Sequence, residues 1–136
     1  MSSISIKAVL IAAVFDVVTS SALGAVVVFA GAALSGAESA DDMVRFASSS
    51  PTLFLTYAVG SAMSVIAGYM AATIARRGEL INGALSSFLC VLLGIYVELA
   101  GISAAPAALN ITSLALSPLL GSFGGYLRLK QLARAA

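Results

Sequence analysis

Histidine and tryptophan are absent from this chain, cysteine occurs once, and only 10% of the residues are charged. Each shortage excludes something. Without histidine, the commonest general base and the commonest metal ligand are gone. A lone Cys90 rules out an intrachain disulfide and any cysteine-cluster metal site, which leaves it the role of a small helix-packing residue. The net charge of +1, with no basic stripe interleaved with aromatics, argues against a nucleic-acid partner. No nucleophile elbow, P-loop or metal motif occurs, and there is no His–Ser or Cys–His set. The expectation is a protein that is not an enzyme and carries no cofactor or metal.

What the chain has in abundance is apolar sequence, 60% of its 136 residues. Soluble domains carry about 25% charged residues, and a fold this small cannot hide so much apolar surface in its own core. A lipid bilayer removes the conflict. Four long apolar runs stand out, at about 8–34, 52–75, 80–101 and 105–127, each near or above the roughly 20 residues that cross a bilayer as a helix. They are continuous and do not alternate with period two, so helices are expected. The first run has a basic residue before it and small residues within it, as a secretory signal does. It is too long for one, and Asp16 interrupts it.

Three connections separate the runs. The outer two of them differ sharply: residues 35–50 are polar and hold Glu38, Asp41, Asp42 and Arg45, whereas residues 102–106 carry no charge. Between them lies the turn Arg76-Arg77-Gly78-Glu79. Ser39 with Asp42 three residues on predicts a capped surface helix whose Met43, Phe46 and Ala47 share a face. Ser50-Pro51 then reads as the N-cap and first residue of the second span. Lys7, Arg76, Arg77, Arg128, Lys130 and Arg134 fall on one side of a four-span arrangement and only Arg45 on the other. That bias places both termini in the cytoplasm. The fold expected is therefore all-α: one membrane domain over residues 1–136, a four-helix transmembrane bundle running up-down-up-down in a bacterial inner membrane.

In lipid, helices associate through close packing, which small residues permit. Every span has such residues at four-residue spacing: Ala12, Asp16, Ser20 and Gly24; Gly60, Ser64, Gly68 and Ala72; Ser86, Cys90 and Gly94; Ser113, Ser117, Gly121 and Gly125. The opposite faces carry bulk, with Leu10, Ile11, Val14, Val18, Val28 and Phe29 across from Asp16, and Leu85, Leu89, Leu92, Leu93 and Tyr96 across from Glu98. Pro118 predicts a kink in the fourth span, with the freed carbonyl near Leu114 served by Ser113 or Ser117. Gly68-Tyr69-Met70 and Gly125-Tyr126-Leu127 end two spans alike, which interfacial anchoring by tyrosine and arginine explains better than duplication of a hairpin.

Asp16 is the most informative residue. It lies about a third of the way along the first run, where an ionised carboxylate costs several kcal/mol unless paired, hydrated or protonated. Thr19, Ser20 and the amide of Asn82 are the expected donors. The site is open to two readings: a proton or ion site, or a satisfied structural carboxyl. Glu98 falls near the outer end of the third run and at another depth, so the two acids are not expected to work as a pair; Asn110 reads as an interface residue.

The segments Ala67-Gly68-Tyr69-Met70-Ala71-Ala72, Ala75-Arg76-Arg77-Gly78, Asn82-Gly83-Ala84-Leu85, and Pro118-Leu119-Leu120-Gly121 with Gly124-Gly125-Tyr126 resemble a pattern in small four-span bacterial inner-membrane proteins of unknown function. That resemblance implies a fold and a location but no activity. Phe15-Asp16-Val17-Val18-Thr19-Ser20 resembles the acidic site of small multidrug resistance transporters. The chain departs from that family in lacking tryptophan and the glycine pattern of its third span. Some of those transporters insert in both orientations, which needs a weak basic bias; here, as against the small fluoride channels, the bias is strong. Taken together, the sequence predicts a non-enzymatic membrane protein acting through assembly, as a homo-oligomer or small subunit of a membrane complex, with the bilayer as its other partner. The alternative is a small proton-coupled transporter or channel using Asp16.

Overall fold

The computed structural model describes residues 4–103 and 105–135. It contains six helices and, among the described residues, no strand: α1 Ile6–Leu34, α2 Ala40–Ala47, α3 Ser50–Ala75, α4 Glu79–Ser86, α5 Phe88–Leu99 and α6 Ala107–Ala135. Four stretches are long and apolar enough to cross a membrane: α1, α3, α4 with α5, and α6. The chain is thus a multi-pass helical bundle. Residue 104, within the connection expected before the fourth span, lies outside the described residues.

Local chemistry sets the ends. Ser5 caps α1, its hydroxyl accepting from the Ala8 N–H at 3.4 Å. The surface helix is α2, held by a reciprocal capping box: Ser39 Oγ accepts from Asp42 N at 3.1 Å, and Ser39 N donates to Asp42 Oδ2 at 3.3 Å. The Phe46 ring then reaches back to α1, occupying the space a side chain at Gly31 would need. The N-cap of α3 is Ser49, one residue earlier than the sequence suggests, with Pro51 inside the first turn. Arg76 ends α3 in the left-handed region, φ 56°, a conformation that costs a residue with a Cβ about 1–2 kcal/mol. Gly78 (φ 58°) follows and opens α4. Buried Asn82 pins this turn, donating through Nδ2 to the carbonyls of Arg77 and Gly78 at 2.9 Å each and accepting from the Ser5 N–H at 2.8 Å.

Two expectations about helix continuity change. The third span is not one helix, because it breaks at Ser87. There Ser86 Oγ bonds back to the Gly83 carbonyl at 2.7 Å, and Ser87 Oγ bonds across to the Ser117 carbonyl at 3.1 Å. Hydroxyls that bond backbone carbonyls in this way bend helices. The fourth span, in contrast, continues as helix through Pro118 and on to Ala135, well past the expected end at Leu127. Ser113 does not serve the Leu114 carbonyl; its hydroxyl donates to Asn110 O at 2.8 Å.

The interior inverts that of a soluble protein. Its apolar part is almost all alanine: Ala8, Ala12, Ala13, Ala32, Ala67, Ala71 and Ala72, with Val9. The largest fully buried side chains are Asn82, Asp16, Ser86 and Ser87. Val14, Val18, Leu92, Leu93 and Tyr96 are exposed, as the bulky faces require of a chain solvated by lipid. Packing is tightest in the half of the bundle that bears the basic residues. At Gly121, α6 meets α3 and α4 together: a methyl on Gly68 would fall 2.7 Å from Gly121 Cα, and one on Gly121 would fall 3.1 Å from the Gly83 carbonyl carbon. The other half is looser, and α5 contributes no buried residue at all.

Candidate functional site

Asp16 is fully buried, 0% exposed, on the face of α1 that meets α3. Antiparallel register determines its partner. Gly24 lies opposite Thr56, with 3.6 Å between a Cβ at Gly24 and Thr56 Cγ2. Eight residues along each helix from that contact, Asp16 meets Ser64. Ser64 Oγ donates to Asp16 Oδ2 at 3.0 Å, and Ser20 Oγ, one turn along α1, donates to Oδ1 at 3.1 Å. The Cys90 side chain of α5 lies beside the carboxyl.

Two of the donors expected for Asp16 are engaged elsewhere. Thr19 Oγ1 donates to the Phe15 carbonyl of its own helix at 2.7 Å, the usual recourse of a threonine hydroxyl inside a helix. Asn82 holds the α3–α4 turn. In their place stand Ser64 and Cys90, which the sequence marks only as small packing residues. The signal that could have found them is the four-residue series on α1 and α3 set antiparallel, since that places Ser64 beside Asp16 once Gly24 is placed beside Thr56.

Beside this carboxyl lies a cavity of about 290 Å³, between α1, α3, α5 and α6. Its wall includes Ser20, Ser64 and Cys90, so Asp16 sits one side-chain layer behind it. The rest of the lining includes the hydroxyl-bearing Ser21, Thr56, Ser61, Ser113 and Ser117 beside Gly60, Leu114 and Leu120, and most of the surface it presents is apolar. No charged side chain lines it. The cavity is near the lower end of the size range of ligand pockets, about 300–1,000 Å³. Gly60, expected to pack closely, instead forms part of this wall, and a Cβ there would meet nothing within 4 Å. Gly94 packs against the Leu114 side chain, with 3.2 Å between a Cβ there and Leu114 Cγ. Gly68, Gly121 and Gly125 lie in the tight half, Gly125 against the backbone of Glu79 and Leu80.

Glu98 is not near Asp16. It joins a second polar cluster, in which Asn110 Nδ2 donates to Glu98 Oε2 at 2.7 Å and to Ser103 Oγ at 2.6 Å, while the Tyr57 hydroxyl donates to Asn110 Oδ1. Tyr57 also lines the cavity, so this cluster ties α3, α5 and α6 together at its edge. Asn110, read as an interface residue, is its hub. Among the described residues, no group of three or more Cys, Asp or Glu could hold a metal ion. No protein-family model matches the chain, and searches of curated proteins and of solved structures find no significant match.

Proposed function

We propose that this chain is a small transporter or channel of the bacterial inner membrane, in which Asp16 carries a proton or cation and the adjoining cavity admits a small polar solute. The observation that carries this reading is the Asp16 carboxyl one layer behind a hydroxyl-lined cavity. A buried acid in a membrane needs hydration, pairing or protonation, and here its donors are the neutral hydroxyls of Ser20 and Ser64, which form part of the cavity wall. Neutral hydroxyls can donate to a carboxylate or accept from a carboxylic acid, so the same shell serves both states of Asp16.

The two halves of the bundle support a direction. In the half with the basic residues, glycine backbones hold α6 against α3 and α4, while the Asp16 cavity lies toward the other half. With the basic residues in the cytoplasm, this arrangement is a transporter opened away from the cytoplasm, with both termini inside. Asp16→Asn should preserve the fold and abolish pH-driven flux in proteoliposomes. Flux equal to that of the unaltered protein would refute the role of Asp16.

A second reading, assembly as a homo-oligomer or as a subunit of a membrane complex, draws on α5. That helix has no fully buried residue and exposes Leu92, Leu93, Ile95, Tyr96 and Leu99. The small-residue contacts at Gly68, Gly121 and Gly125, by contrast, are used inside the chain and leave little for a partner. Mass measurement in mild detergent, comparing the protein with its Leu92→Ser, Tyr96→Ser double variant, separates the cases: loss of an oligomer supports assembly through α5, and a monomer in both opposes it.

A further inference from the structure

A second cavity lies on the opposite, basic side of the molecule, where the end of α3 meets the last turns of α6. It is about 370 Å³ in volume and is lined by Ala72, Thr73, Arg76, Arg128 and Leu132. Two guanidinium groups therefore border one groove, and no acidic side chain lines it. Among the described residues neither arginine has an ion-pair partner. Arg128 is oriented by Gln131, whose Oε1 accepts from Arg128 Nη1 at 2.7 Å and from the Tyr69 hydroxyl. Arg76 stands at the groove because it caps α3 in the left-handed conformation, φ 56°. Glycine is the ordinary occupant of such a position. The groove is thus cationic, with Leu132 as its exposed apolar side chain, at the end of two membrane-spanning helices.

From this geometry we infer that the groove between α3 and α6 binds the phosphate of an anionic lipid headgroup, with Arg76 and Arg128 as its ligands. Guanidinium groups recognise phosphate through paired N–H donors. Basic pockets between transmembrane helices recruit anionic headgroups in this manner. The position of the groove at the end of two membrane-spanning helices favours a lipid headgroup over free phosphate. The site is separate from the Asp16 cavity and does not depend on how that cavity is read.

The test uses the full chain in a zwitterionic detergent, with thermal unfolding followed during titration with short-chain phosphatidylglycerol. Phosphatidylcholine of equal chain length and inorganic phosphate are the parallel titrants. The phosphatidylglycerol should raise the melting temperature in a saturable way while the other two leave it unchanged. Arg128→Ala and Arg76→Gly should each weaken apparent binding roughly tenfold or more. Glycine is chosen at position 76 because it keeps the left-handed cap and so keeps the fold. Arg134→Ala removes the same charge outside the groove and should bind as the unaltered protein does. If Arg134→Ala weakens binding as much as the groove variants, or if the groove variants titrate normally, the site is refuted. If inorganic phosphate alone reproduces the shift, the lipid assignment is refuted.

Discussion

At the scale of single residues, hydroxyl groups divide the labour around Asp16, and the division can be tested. Ser64 donates across a helix interface to the carboxyl, whereas Thr19 donates to its own backbone. Ser64→Ala should therefore destabilise the protein in detergent by about 0.6–2 kcal/mol, the range measured for interhelical bonds in membranes. Thr19→Val should cost less, and thermal unfolding of the two variants side by side checks the order. Glycines divide in the same way. Gly68→Leu or Gly121→Leu drives a side chain into a facing backbone and should disrupt the bundle. Val14→Leu, at a site 53% exposed, should be tolerated. Gly60→Ala enters open space, so it should raise the melting temperature, because alanine favours a helix by about 1 kcal/mol over glycine. It also narrows the cavity, so on the transport reading it should slow flux even as it stabilises. Size exclusion and melting curves of the four variants test the packing, and Gly60→Ala in proteoliposomes tests the link to function.

At the scale of elements, what the sequence declared was whatever has a strong local cause. The capping box of α2 could be read from Ser39 and Asp42 because both partners lie within one turn. The spans could be read because the bilayer demands long apolar runs. The break at Ser87 could not, since it depends on the carbonyl of Ser117, thirty residues away, and on how closely α4 meets α6. The α2 cap also gives a pH dependence. The Ser39 hydroxyl, and then the Ser39 backbone N–H, hold the Asp42 carboxyl below its ordinary range. A carboxyl with a lowered pKa stabilises the folded state above its unfolded pKa and loses that contribution as pH falls through the folded value. The order of α2 should therefore weaken on acidification below the ordinary carboxylate range. In Asp42→Asn that dependence should disappear, which amide hydrogen exchange of residues 40–47 can follow.

At the scale of the whole molecule, the bundle is asymmetric between its two ends, with glycine backbones of α3, α4 and α6 in contact toward the basic side and the Asp16 cavity toward the other. The small-residue series foretold tight packing in every span. They could not foretell that α3 uses Gly68 for contact and leaves Gly60 facing a cavity, because that difference depends on what stands opposite each glycine: the Gly121 backbone at Gly68 and open space at Gly60. Topology assigns a side to this asymmetry. In a Cys90→Ser background, an impermeant thiol reagent added to intact cells should label Asp41→Cys and spare Arg77→Cys and Ala133→Cys. The reverse pattern would turn the cavity toward the cytoplasm. The most direct test of the central claim is whether Asp16 exchanges a proton with water through the cavity. Infrared difference spectra of the protein in lipid, subtracted from those of Asp16→Asn, isolate its carboxyl band. The account predicts a band that changes with bulk pH and shifts promptly in heavy water. A band insensitive to pH and to heavy water would mark Asp16 as a sealed structural group and contradict it.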